Sequence, residues 1–156
     1  MDGRALTAAE QVALLDEMAD IIQASHLFKS LDTDGRTEVL ESGYVMTFHE
    51  NDVVIKQGDV GEVMYLILRG KVAVETATPG GTVQLAELGH GACVGEVSVL
   101  SGQMRTATVT ALEDVDAVAF HKHRIERVLE KFPRVREILE SIVDARARDT
   151  IEKIIG

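Results

Sequence analysis

Cysteine is nearly absent from this chain: Cys93 is the only one, so no disulfide forms within it, which fits a reducing compartment. A lone thiol beside an aliphatic run reads as a small core residue rather than a reactive group. No apolar run is long enough to span a bilayer, and the first residues lack the basic-then-apolar order of a secretory signal. A cytoplasmic protein with no membrane partner is expected. Positive charge is also short, with 16 Lys and Arg against 26 Asp and Glu and a formal net charge of −10. Neutralising the phosphates of a nucleic acid takes a basic face, so nucleic acid is not expected as a partner. A small monoanion asks only for a local positive site.

Catalytic and metal-binding patterns are missing too. No serine sits in a nucleophile-elbow pattern, and His121 and His123 alternate along the chain without a further ligand nearby. No enzymatic activity, catalytic residue, metal or resident cofactor is therefore expected. The segment from Phe28 to Asp34 begins as a calcium-binding EF-hand loop does. Counting from Asp32 as first ligand, however, puts Arg36 at an acidic position, Thr37 at the glycine position and Gly43 at the closing glutamate. An arginine there repels the ion. The alternative is a short helical turn ending at Asp32, then an Asp34-Gly35 turn before a second short helix.

With 156 residues the chain has the length of one domain, and its patterning divides it into three segments. Residues 1–43 form a helical segment: Thr7 with Glu10 makes a capping-box pair, and Val12, Leu15, Met18 and Ile22 recur at helical spacing as far as about Ser25. Residues 44–120 change to period two and short aliphatic runs, with strands expected over 53–55, 64–68, 71–75, 83–87, 106–111 and 115–120, separated by glycine turns. Residues 121–156 are helical again and divide at Phe132-Pro133, because proline suits the first turn of a helix and ends the one before it. Along the last helix Val135, Ile138, Leu139, Ile142, Ala145, Ile151 and Ile154 make an apolar stripe that must cover something. The expected class is α+β: an antiparallel β jelly-roll barrel with an N-terminal helical segment, one short helix among the strands and two C-terminal helices.

That short helix falls in the most informative stretch, Val94 to Val109. It reads as a strand end, a Gly95-Glu96 turn, a turn of helix, a glycine-containing loop and a new strand opening with Arg105. Amides at a helix start are unsatisfied and attract an anion; Gly95 keeps the approach free of a Cβ, and Arg105 can add a bidentate pair to two phosphate oxygens. Glu96 repels a phosphate, so its use would be to accept hydrogen bonds from hydroxyls such as a ribose 2′-OH. Taken alone, a Gly-Glu pair is an ordinary strand-to-helix turn and an arginine opening a strand an ordinary solvated residue. Together they ask for one phosphate and one sugar.

The stretch resembles the phosphate-binding cassette of the cyclic nucleotide-binding domain family. Upstream, Val54-Ile55-Lys56-Gln57-Gly58-Asp59, the run from Tyr65 through Gly70 to Val72, and Leu88-Gly89-His90-Gly91 resemble further motifs of that family in the same order. The resemblance covers about Leu27 to Pro133. It departs at Val94, where an aromatic is common, at Ser98, where alanine is common, and at Met104, where proline often stands. It implies that Gly95, Val97 and Ser98 offer backbone amides to a cyclic phosphate, that Glu96 holds the ribose 2′-OH, that Arg105 pairs with the phosphate, and that Thr106 places a hydroxyl near phosphate and base.

The function so implied is that of a sensor whose ligand, cyclic AMP or cyclic GMP, moves the C-terminal helices. Thr106 resembles members that accept cyclic GMP, while the aliphatic capping stripe offers little to read guanine and favours cyclic AMP. The competing reading is a nucleotide-free scaffold or dimerisation module of the same fold. On either reading the terminal helices would serve a homodimer or an effector protein. The chain is either a stand-alone regulator or a piece of something larger.

Overall fold

The computed structural model describes residues 4–22, 25–138 and 140–141. The capping box at Thr7 is formed: Glu10 N–H donates to Thr7 Oγ1 at 3.1 Å and Thr7 N–H to Glu10 Oε1 at 3.0 Å. Helix α1 (Ala8–Asp16) follows it but stops at Glu17, and α2 (Met18–Ile21) resumes. The expected continuous helix is thus broken, but most of its stripe holds: Met18 is buried and Leu15 and Ile22 pack partly buried against the core beside the buried Leu14 and Ile21, whereas Val12 is exposed. Across the break at Glu17 (φ −89°, ψ 5°) Leu14, Met18 and Ile21 keep the i, i+4, i+7 spacing of one buried face.

Helices α3 (His26–Ser30) and α4 (Thr33–Ser42) come next. Asp32 caps α4 by accepting Gly35 N–H at 2.8 Å, so Asp34-Gly35 is the first turn of this helix and not a turn before it. Arg36, the residue that spoils the calcium reading, donates through Nε to Phe28 O at 2.7 Å and ties α4 to α3. Among the described residues no three His, Cys, Asp or Glu side chains cluster as metal ligands.

Among the described residues nine strands form two antiparallel sheets. Strands β1 (Arg4–Ala5), β2 (Tyr44–Phe48), β9 (Val115–His121), β4 (Val63–Arg69) and β7 (Cys93–Val94) lie side by side in that order. The second sheet has the order β3 (Val53–Ile55), β8 (Thr108–Ala111), β5 (Val72–Thr78) and β6 (Gly81–Leu88). The sheets pack face to face as a jelly roll but do not close into the expected barrel. Three of the four edges are strands of two or three residues, too short to carry the pairing around.

Period two along β4 and β9 builds two cores at once. Met64 and Leu66 of β4, with Val118 and Phe120 of β9, pack against the helices, while Tyr65, Ile67, Ala117 and Ala119 point between the sheets. Phe28 of α3 meets Phe120 edge-on, ring centroids 5.8 Å apart. Helix α6 (Lys122–Glu130) buries Ile125, Val128 and Leu129 in the helical core. Residues 133–138 are helical again, so the division at Pro133 is observed; Val135 packs on the core and Ile138 is exposed. The rest of the expected stripe, Leu139, Ile142, Ala145, Ile151 and Ile154, lies outside the described residues. Among the described residues no helix is long and apolar enough to cross a membrane.

Candidate functional site

Strand β7 ends at Val94, and the chain turns through Gly95 into helix α5 (Glu96–Ser101). Gly95 has φ +81°, a left-handed conformation that disfavours any residue with a Cβ. A Cβ there would also lie 2.5 Å from Arg105 Nη1 and 2.8 Å from Ile55 Cδ1. The turn is therefore held open for the arginine.

Arg105 is reached from the other side. The loop after β3 runs alongside residues 104 and 105: Arg105 N–H donates to Asp59 O at 2.7 Å, Gly58 N–H to Arg105 O at 2.9 Å, and Val60 bridges Met104. This pairing is why β8 begins at Thr108 and not at Arg105, as the sequence pattern suggests. From that anchored backbone the side chain turns inward. Nη1 donates to Gly95 O at 2.7 Å and Nη2 donates to Val63 O.

The guanidinium is buried, with Arg105 only 8% exposed, and among the described residues no carboxylate lies within ion-pair distance of it. Burial lowers its pKa from the usual arginine value, and the nearby Tyr65 and Asp59 oppose that shift. Arginine keeps its proton at neutral pH regardless. What results is a desolvated positive charge hydrogen-bonded to neutral carbonyls, an arrangement that favours an incoming anion.

Glu96, the first residue of α5, is buried and accepts Leu27 N–H through Oε1 at 2.7 Å. Ser98 is buried and its hydroxyl donates to Met104 O at 3.4 Å, which ties α5 to the loop before Arg105. Val97 contributes backbone to the same helix. Thr106 is exposed at the rim, and its carbonyl accepts from Thr76 Oγ1 at 2.8 Å.

Gly95, Glu96, Ser98, Arg105 and Thr106 line one cavity of about 300 Å³. Its polar groups gather at the cassette, and Ile55, Val74, Leu85, Leu88 and Val109 form the opposite, aliphatic wall. A volume of that size lies at the lower end of small-ligand pockets. The wall residues, the Val63 carbonyl and Leu27 were not identified from sequence as parts of the site. The wall was legible only as strand core, and a carbonyl or an amide leaves no trace in side-chain pattern. Cys93 also lines the cavity, and burial and the neighbouring Glu96 push its thiol well above the usual range.

Residues 45–132 match the profile of the cyclic nucleotide-binding domain, and the chain belongs to that family. Among curated proteins it is 29% identical over 118 residues to a cyclic nucleotide-gated potassium channel of Mesorhizobium japonicum, covering 76% of this chain and 32% of the channel. The chain spans about a third or less of the length of the curated relatives it matches. Among solved structures it resembles the N-terminal domain of a transcriptional regulator from Streptomyces coelicolor (TM-score 0.67, 31% identity, covering 84% of this chain and 94% of that one). It also resembles the catabolite activator protein of Thermus thermophilus (TM-score 0.68, 28% identity, 83% and 61% coverage).

Proposed function

We propose that the chain is a sensor module that binds a cyclic nucleotide in the cavity between α5 and the β5–β6 hairpin. The observation that carries this reading is the buried guanidinium of Arg105, held at the carbonyl of Gly95 and facing the same cavity as the Glu96 carboxylate. A single anion next to a hydroxyl-bearing ring suits that pair: phosphate toward Arg105 and the amides of Gly95, Val97 and Ser98, ribose 2′-OH toward Glu96, base against the aliphatic wall, with Thr106 at its rim. Cyclic AMP is the favoured ligand because the wall has no donor or acceptor side chains aimed at a guanine edge.

The output we propose runs through the helical core. Val99 of α5 is buried in the same cluster as Ile125, Val128 and Leu129 of α6, so a ligand that tightens α5 acts on the C-terminal helices without an intermediate. Only a difference in ligand affinity between two helix arrangements can drive such a shift. The terminal helices then present the altered surface to a second copy or an effector.

Calorimetry with cyclic AMP and cyclic GMP, alongside thermal melting, tests the reading. A ligand that binds only the folded form raises the melting temperature. Saturable binding that Arg105→Ala abolishes supports the sensor; no heat and no shift at millimolar nucleotide favours the scaffold.

A further inference from the structure

Arg105 sits where three points of one loop put it, and only one of the three involves a residue chosen for its lack of a side chain. Asp59 O takes the Arg105 amide, Val63 O takes Nη2, and between them Gly61 is buried with its Cα turned toward the guanidinium. A Cβ on Gly61 would lie 2.4 Å from Ser98 Cβ and 3.1 Å from both Cζ and Nη1 of Arg105. The first distance is one that real Cβ atoms do not tolerate, and Ser98 Cβ is fixed to the backbone of α5. We propose that Gly61, which lies outside the cassette, is a positioning residue: its bare Cα sets how closely Ser98 and the Arg105 guanidinium approach each other, and so fixes the width of the phosphate notch.

The proposal deepens the nucleotide reading and rests on it for its ligand, but the geometry it describes exists without ligand. Backbone strain does not explain the glycine, because Gly61 is not among the positive-φ glycines. Alanine can take its backbone, so the effect of a substitution comes from the added methyl alone. Gly58, three residues earlier, presents the opposite case: φ is +91° and a Cβ there meets nothing within 4 Å. The pair separates a contact effect from a backbone effect within one loop.

Two readouts test the role, the Arg105 side-chain resonance in nitrogen–proton correlation spectra (assigned by its loss in Arg105→Lys) and cyclic AMP affinity by calorimetry. Gly61→Ala is expected to move the Arg105 resonance and weaken affinity by about tenfold or more. Gly58→Ala is expected to lower the melting temperature while leaving that resonance in place. Adding Ser98→Gly to Gly61→Ala removes the closest collision, so the double variant is expected to return the resonance toward its wild-type position and bind better than Gly61→Ala.

An unmoved resonance in Gly61→Ala overturns the proposal, as does a shift that Ser98→Gly leaves unrelieved. If Gly61→Ala does not fold, folding of the double variant demonstrates the collision directly. Failure of both to fold, with Gly58→Ala folded, assigns Gly61 to loop folding and overturns the role. If the wild type takes up no cyclic AMP while the resonances respond as described, the nucleotide reading falls and the positioning role stands.

Discussion

Glu96 Oε1 accepts the main-chain N–H of Leu27 at 2.7 Å, so the carboxylate proposed for the ligand's ribose also satisfies a first-turn amide of α3. Ser25 takes the Phe28 amide beside it at 3.2 Å. One side chain thereby belongs both to the cavity and to the N-terminal helices. A buried hydrogen bond to a charged acceptor contributes about 1.5–3 kcal/mol. Glu96→Gln keeps the shape and removes the charge. It is expected to weaken cyclic nucleotide binding by about tenfold and to speed hydrogen exchange at Leu27, read by calorimetry and by amide exchange in the same variant.

Arg105→Lys keeps a positive charge but cannot reach two acceptors at once. Lysine replaces a planar fork with a single point charge. A loss of roughly 2–3 kcal/mol in nucleotide binding, near a hundredfold, is expected by calorimetry. Affinity equal to wild type would show that charge alone suffices and that the fork is unused.

His90 supplies a pH dependence. Its Nδ1 lies 2.7 Å from Leu68 O and its Nε2 2.6 Å from Glu17 Oε2, so both ring nitrogens donate only in the imidazolium form. The Leu68 carbonyl first, and Glu17 second, raise its pKa above the ordinary 6.5. Because the folded value exceeds the unfolded one, this stabilisation is complete below about pH 6.5 and is lost as pH rises through the folded value. The side chains are exposed to solvent, which keeps the effect under about 1 kcal/mol. The urea midpoint of the wild type, measured relative to His90→Gln, is expected to fall as pH rises above about 6.5.

Asp32 caps α4, and among the described residues no other side chain takes the Gly35 amide. Asp32→Ala is expected to cost about 1 kcal/mol in urea unfolding, and Asp32→Asn much less. Equal loss in both variants would point to the charge and not the cap.

Cys93 offers a reporter of the cavity. Its thiol is held protonated by burial and by Glu96 and lines the proposed ligand volume. A thiol reagent is expected to label the native protein slowly at neutral pH and more slowly with cyclic AMP present. Labelling that ignores nucleotide would place the ligand elsewhere.

Much of the site was legible in the chain because its chemistry is carried by side chains: Gly95, Glu96, Ser98 and Arg105 come together as the motif implies. Thr106 reaches the rim. Strands β3, β4, β5, β6, β8 and β9 were legible from period two and the break before Pro133 from proline itself, whereas β1 and β2 were not read as strands. The division at Glu17 left no mark, since nothing in Asp16-Glu17-Met18 opposes a helix. Likewise Arg105 looked like the start of a strand because local pattern cannot reveal that residues 57–60 claim its backbone. Gly61 was in plain sight after Gly58-Asp59-Val60, but its use depends on Ser98, which lies 37 positions away in the chain.

Strands β4 and β9 have no wet side, and this restricts how the protein can change. A methyl added between the sheets at Ile67, Ala117 or Ala119 must be absorbed by main-chain displacement, and that displacement arrives at Met64, Leu66, Val118 and Phe120 beneath the helices. Tolerance should therefore be greatest in the β5–β6 hairpin, where most of β6 is open to water. Ligand preference can drift there without disturbing the helical layer.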